Sequence, residues 1–201
     1  LKIALTGSDG MLGSDICSVF SDAELTAFTL KDFDITDLDA SVAAIRKIKP
    51  DYLIHAAAYT NVDGSEQTPD NAYLVNGIGT RNITMACEET RCPIIYISSD
   101  YVFDGTKNEP YNEWDMPNPI SHYGQSKLLG ERYVASLTKR FYIVRTSWLY
   151  GKRGKNFVDT ISSLLMERSE INVVTDQVGS PTYTLDLANN LKDRNTAVLE
   201  N

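Results

Sequence analysis

Short apolar runs alternate along the chain with stretches whose apolar residues recur at helical spacing. Lys2-Ile3-Ala4-Leu5 is too short for a helix and meets a glycine-rich stretch, which predicts a buried strand. Met11, Leu12, Ile16, Val19 and Phe20 then keep a helical period. Residues 25–28 predict a second strand, Leu38, Val42, Ile45 and Ile48 a helix stopped by Pro50, and residues 52–55 a third strand. One helix is expected from near Pro69 through Tyr73 and another over 80–89, followed by an isoleucine-rich strand at 93–97. The segment 104–121 carries Gly105, Pro110, Pro117 and Pro119 and reads as a long loop. Beyond it the pattern predicts a helix over about 122–137, a strand at 141–144, a helix at 157–167 and a strand at 171–174.

Strand and helix in alternation imply a parallel sheet covered on both faces. In such sheets ligands lie beyond the carboxyl ends of the strands, so the chemistry is expected there. No internal repeat, low-complexity tract or linker interrupts the pattern.

The first strand runs into Thr6-Gly7-Ser8-Asp9-Gly10-Met11-Leu12-Gly13, which opens the first helix. In this strand–turn–helix setting a GxxGxxG spacing predicts a dinucleotide site of the Rossmann type. Gly7 allows the tight turn, Gly10 lets backbone approach a pyrophosphate held at the helix N-terminus, and Gly13 lets the helix lie close on the sheet. Cofactor contacts are expected from Gly7, Asp9, Gly10, Met11 and Leu12. The second strand ends Ala27-Phe28-Thr29-Leu30-Lys31, without the acid that bonds a ribose 2′-hydroxyl in NAD sites. Lys31 therefore favours a 2′-phosphate, hence NADP(H), with NAD(H) as the second choice. Asp34 and Ile35 are placed to border the adenine. The small side chains of Ala56, Ala57 and Ala58, after the third strand, leave room for the cofactor.

Composition narrows the partners. The 201 residues carry 42% hydrophobic and 23% charged residues, an ordinary globular balance, and a net charge of −8. Acidity on that scale argues against nucleic acid, which needs clustered Lys and Arg. No apolar run is long enough to suggest a membrane span. Cys17, Cys87 and Cys92 form neither an even framework nor a CxxC, so they read as reduced thiols of a cytoplasmic protein, and no metal site is expected. The sequence starts at Leu1 and enters a strand at once, so no signal peptide is read in it and its start is taken as trimmed.

His122-Tyr123-Gly124-Gln125-Ser126-Lys127 contains YxxxK, whose spacing puts Tyr123 and Lys127 on one helical face. An ammonium beside a phenol lowers the phenol pKa, so Tyr123 is expected to serve as a general acid or base. It follows a strand ending Ile97-Ser98-Ser99-Asp100. Asn76 reads either as a group orienting the catalytic helix or as a helix-surface amide. His55 and His122 read as structural, and Ser98-Ser99 without a GxSxG turn gives no hydrolase.

Together, TGxxGxxG, Ser-Ser-Asp at the fourth strand end and YxxxK resemble the extended short-chain dehydrogenases/reductases. Four longer blocks, running through Ala56–Asp63, Ile97–Gly105, Arg145–Gly151 and Asp176–Thr184, are similar to the motifs of the dTDP-4-dehydrorhamnose reductase family. The resemblance implies NAD(P)H-dependent reduction of a 4-keto-6-deoxy nucleotide sugar. Tyr123 would protonate the carbonyl oxygen, Lys127 would hold the nicotinamide ribose, and Ser99, where the family usually has Thr, would hydrogen-bond that oxygen. Asp100, Tyr101, Trp148 and Asn156 would face the sugar nucleotide. A homodimer is compatible with this reading. An epimerase, a reductase of another nucleotide sugar, and a regulatory subunit like the β subunit of methionine adenosyltransferase are the rival readings. The family's chains continue past the Asp176–Thr184 block. The expected fold is thus an α/β Rossmann doubly wound parallel sheet over 1–175, with only the start of a substrate-binding lobe at 176–201.

Overall fold

The structure is a computed structural model and describes residues 1–154 and 156–199. Five parallel strands form the central sheet: β1 (Lys2–Thr6), β2 (Glu24–Phe28), β3 (Tyr52–His55), β4 (Ile94–Ser99) and β5 (Phe141–Thr146), in the order β2-β1-β3-β4-β5. Alternate residues of β1 serve opposite faces, as the pleat requires. Ile3 and Leu5 enter a core with Leu12, Ile16, Phe20, Ile54 and Ile95, while Ala4 enters another with Ile45, Leu53, Ile83, Ile94 and Tyr96. A fully buried Leu or Ile contributes about 1.5–3 kcal/mol, so these two layers are the main stabilising term.

Local chemistry sets the helix ends. Helix α1 (Met11–Val19) begins at Gly10 without a side-chain cap. Asp37 caps α2 (Leu38–Ile48) by accepting from the Ala40 N–H, and Lys49 closes it in the left-handed region just before Pro50. Between β3 and β4 the expected pair of helices becomes a nearly continuous crossover: α3 (Val62–Gln67), α4 (Pro69–Ala72), a π-helical turn (Tyr73–Gly79) and α5 (Thr80–Thr90). Helix α3 has too few apolar positions for a periodic pattern, and the π turn breaks the 3.6-residue period, which hid the continuity. Ser121 caps α6 (His122–Leu137) through the Gly124 N–H.

One expectation changes. The strand expected at 171–174 is not one: that segment joins no ladder, and Val173 and Val174 are exposed. An apolar β-branched run predicts extended backbone, but a strand also needs a partner edge. A small parallel pair, β6 (Leu149–Tyr150) and β7 (Thr182–Tyr183), forms instead, with α7 (Phe157–Glu167) between them. Helix α8 (Thr184–Leu199) returns to the sheet and places Ala188 and Leu191 in the core of Ile3, Leu5 and Ile16. Residues 200 and 201 of that segment lie outside the described residues.

Candidate functional site

The glycine-rich turn is built for close approach. Gly7 has φ +77°, a conformation that favours glycine, and its N–H donates to the Phe28 carbonyl at 3.0 Å. A Cβ at Gly7 would lie 2.6 Å from the Ala57 nitrogen, and one at Gly13 would overlap the Gly7 carbonyl. Turn, third-strand end and helix therefore touch backbone to backbone, which explains the small side chains at Ala56 and Ala57. With no side-chain cap and no acid in its first turn, the N-terminus of α1 leaves its amides and its positive dipole end for an anion. Asp9 and Gly10 are exposed there, Met11 is half-buried and Leu12 is buried.

At the end of β2, Lys31 is exposed. Asp32, an acid beyond the stretch weighed in the sequence, folds back: its carboxylate accepts from the Thr29 N–H at 2.8 Å and from the Thr29 hydroxyl at 2.9 Å. Asp34 likewise accepts from the Thr36 N–H and hydroxyl, both at 2.8 Å. Ile35 is buried beneath this loop, which buried Asn82 holds by donating to the Ile35 and Thr36 carbonyls at 3.0 and 2.9 Å. A lone Asn on a helix offers no periodic or motif signal, so the sequence did not reveal that clamp.

The Tyr123–Lys127 pair lies over the carboxyl end of β4. Tyr123 is almost wholly buried, edge-on to Tyr101 at 5.4 Å between ring centres. Burial pushes its phenol up to about 12, with the Ser99 hydroxyl opposing. The expected lowering of Tyr123 by Lys127 is therefore corrected. Lys127 is buried and turned to the sheet, its Nζ donating to the Ile97 carbonyl at 2.7 Å and lying 4.4 Å from the centre of the Tyr96 ring. Burial pulls the Lys127 ammonium down to about 7, against the pull of Glu131. Four-residue spacing put both side chains on one face, but not in one environment.

Ser99 donates to Asp100 at 3.1 Å and accepts from the Tyr101 N–H at 3.2 Å, which fixes its oxygen at the strand end. Asp100 is held above the usual carboxylate range by burial. A Cβ at Gly124 would overlap the Tyr101 carbonyl, so the start of α6 rests on the Asp100–Val102 turn with no room between them.

Asn76 sits in the π turn and is fully buried, so the surface-amide reading falls. Its amide donates to the Tyr59 carbonyl at 3.0 Å and to the Ser126 hydroxyl at 2.9 Å, and accepts from the Tyr59 N–H at 2.8 Å. It thereby joins the loop after β3 to the catalytic-motif helix. His55 is also structural: it lies buried between the Thr6 and Thr80 hydroxyls at 2.7 and 3.1 Å. His122 stands at the start of α6 beside Tyr73.

Trp148 occupies the bend between β5 and β6 at φ +44°, left-handed backbone that a bulky residue rarely adopts. Gly179 lies against its indole, where a Cβ would come within 3.0 Å. The exposed ring thus rests on Gly179 on one side. Asn156 caps α7, accepting from the Asp159 N–H at 2.9 Å and donating to the Asp159 carboxylate at 2.7 Å and to the Gly151 carbonyl at 3.2 Å. Its side chain is taken up locally. Ala58 is half-buried beside the Tyr59–Asn76 link. Among the described residues no cluster of His, Cys, Asp and Glu could hold a metal ion, and no helix is long and apolar enough to cross a membrane.

The cofactor turn stands at the carboxyl end of β1 and the Tyr123 group at that of β4, with β3 between them in one parallel sheet, which defines an NAD(P)-binding protein of the extended short-chain dehydrogenase/reductase type. Within that class, the chain belongs to the family described as the RmlD substrate binding domain, whose model matches residues 1–198. It is 41% identical over 93% of its length to the spore coat polysaccharide biosynthesis protein SpsK of Bacillus subtilis, covering 67% of that protein. It is 39% identical to the dTDP-4-dehydrorhamnose reductase of Aggregatibacter actinomycetemcomitans, over 93% of this chain and 65% of that one. Among solved structures, the dTDP-4-dehydrorhamnose reductase of Bacillus anthracis in complex with NADP aligns with a TM-score of 0.92 at 43% identity, over 96% of this chain and 69% of that one. The chain thus spans about two thirds of the length of the curated relatives it matches.

Proposed function

We propose that this chain is the cofactor-binding and catalytic part of an NAD(P)H-dependent reductase that converts dTDP-4-dehydro-L-rhamnose to dTDP-L-rhamnose. The observation that carries the reading is the buried, neutral Tyr123 phenol set beside Ser99 at the end of β4, on the same sheet edge as the uncapped, glycine-lined helix N-terminus after β1. The relatives' names favour reduction over the epimerase and regulatory-subunit readings.

The residues fit a dinucleotide. Gly7, Gly10 and Gly13 keep side chains out of the space at the α1 N-terminus, where the amides of Met11 and Leu12 can take a diphosphate. Asp9 borders that turn. Lys31 supplies a cation for a 2′-phosphate, and Asp32 spends its carboxylate on Thr29 rather than on a ribose hydroxyl, which supports NADP(H) ahead of NAD(H). Asp34 and Ile35 line the adenine side, and Ala56, Ala57 and Ala58 flank the ribose.

The nicotinamide, when bound, supplies hydride to the sugar carbonyl carbon. Negative charge then grows on the carbonyl oxygen, and Tyr123 donates its proton there. A phenol held near 12 is fully protonated at neutral pH, and an alkoxide is the stronger base, so the proton moves downhill. Ser99 orients the oxygen by hydrogen bonding, and Lys127 binds ribose hydroxyls from below. Asp100, Tyr101 and Trp148 shape the sugar site, with Asn156 supporting it through the α7 cap. In this reading residues 1–175 form the cofactor-binding unit that carries the catalytic residues, and 176–201 begin the substrate-binding lobe. A homodimer in the cytoplasm is the assembly and place we propose.

The test is NADPH oxidation by the full-length protein with dTDP-4-dehydro-L-rhamnose. Turnover with this sugar and poor turnover with its epimers is expected. No oxidation with any 4-keto nucleotide sugar would overturn the reading.

A further inference from the structure

Glu131 lies on α6 four residues beyond Lys127 and is 4% exposed. It takes no part in the chemistry described above, yet every bond it makes reaches another element of the site. One carboxylate oxygen accepts from the Ser98 hydroxyl at 2.6 Å and from the Arg145 Nε at 2.9 Å, and the other accepts from the Arg145 Nη2 at 2.7 Å. Ser98 precedes Ser99 on β4, and Arg145 is its register partner on β5, three residues before Trp148. Arg145 in turn lies 5.0 Å from the centre of the Phe103 ring, just past the Asp100–Val102 turn.

We infer that Glu131 is the positioning residue for Lys127: its carboxylate clips α6 to the carboxyl ends of β4 and β5 and keeps the lysine ammonium charged inside the protein. The inference rests on the reductase reading for what Lys127 binds, but not for how Glu131 acts on it.

Two physical demands meet at this carboxylate. A buried ammonium needs a compensating charge, since burial alone favours the neutral amine. The Ile97 carbonyl supplies a dipole and the Tyr96 ring a π face, but neither supplies a charge. The titratable groups set against Lys127 are Glu131 from its own helix, His55 from β3 and Tyr96 from β4. Burial holds His55 neutral, to about 3, and pushes the Tyr96 phenol far up, so neither adds charge at neutral pH. Glu131 is the carboxylate of this set, and it pairs bidentately with Arg145. Glu131 stands one helical turn from Lys127, while Arg145 reaches the carboxylate from β5.

The test compares Glu131→Gln with the unaltered full-length protein. NADPH binding by the otherwise cofactor-free protein is titrated from pH 5 to 9, and kcat/KM is measured over the same range. In the unaltered protein, affinity falls as pH rises through about 7, where Lys127 loses its proton. In the variant the limb is expected to move about one unit toward acid, because an opposite charge nearby is worth about that much or more. Affinity at pH 7 then drops about fivefold and returns to near the unaltered value below the shifted limb. Ser98→Ala, which removes one clip bond without changing charge, should leave the limb where it is. If Glu131→Gln does not fold, the double variant Glu131→Gln/Arg145→Gln, which leaves no unpaired buried charge, should show a smaller shift in the same acid direction. A binding limb that stays in place in the folded variant, with loss spread evenly over pH, overturns the inference and makes Glu131 a packing residue. A limb that moves while neither protein turns over a keto sugar supports the inference and counts against the reductase reading instead.

Discussion

Gly124→Ala tests whether the site depends on the contact between α6 and the Asp100–Val102 turn. A Cβ at Gly124 would lie 2.9 Å from the Tyr101 carbonyl carbon and 3.0 Å from the Pro119 Cβ, besides overlapping the Tyr101 oxygen. Carbon atoms rest at about 3.5–4.0 Å, so the start of α6 must retreat by about 0.6–1 Å. That retreat carries Tyr123 away from Ser99, which the turn holds through the Tyr101 N–H. A misplacement of about 1 Å can cost about a hundredfold in rate. The stability cost should be much smaller. Overpacking costs about 1–3 kcal/mol, while replacing a helical Gly by Ala returns about 1 kcal/mol. The net, about 0–2 kcal/mol, lowers Tm by at most about 8 °C for a domain of this size. Steady-state kinetics with the keto sugar, a thermal melt and an NADPH titration separate these effects. The expected result is kcat/KM down about a hundredfold, Tm down by a few degrees, and NADPH affinity little changed, because the α1 turn is on another strand end. Gly105→Ala serves as a comparison, since it strains a positive φ but meets no atom within 4 Å. A Gly124→Ala protein with kcat/KM within about threefold of the unaltered one refutes the argument from contact.

Tyr123→Phe should lower kcat by about 10²–10⁴ while NADPH affinity stays within about twofold, and an unchanged kcat removes Tyr123 as the acid. Lys31→Ala should weaken NADPH binding about fivefold and leave NADH untouched, as expected for one partly exposed charge pair; equal loss for both cofactors ends the 2′-phosphate argument. His55, neutral in the fold to about 3, has its pKa depressed below the unfolded value near 6.5. Its contribution is present above pH 6.5 and is lost as pH falls, about 2 kcal/mol by pH 5, so Tm should decline over that window and decline less in His55→Gln. An NMR titration of the His55 ring with a midpoint near 6.5 in the folded protein would contradict its burial between Thr6 and Thr80.

Much of the fold was legible because its signals are local. The buried strands declared themselves as short apolar runs, and α2 as a periodic pattern stopped by Pro50. The glycine-rich turn was equally plain, since a strand, three glycines and a helix are adjacent in the chain. Expectations failed where a partner far along the sequence decides. The run at 171–174 has strand chemistry but no edge to join.

The site divides the same way. By itself the sequence determined which groups are available: a tyrosine and a lysine four apart, a serine at a strand end, and a helix start free of side chains. Only the tertiary structure decided their state. Burial, which is a property of the whole packed sheet, raises the Tyr123 phenol and lowers the Lys127 ammonium, opposite to what a paired phenol and ammonium would do in water. It also decided that Asn76 is a buried bridge, that Asn156 is spent on a helix cap and that Glu131 ties its helix to Ser98 and Arg145. Spacing along a helix sets direction, whereas solvation and charge come from the elements that direction meets.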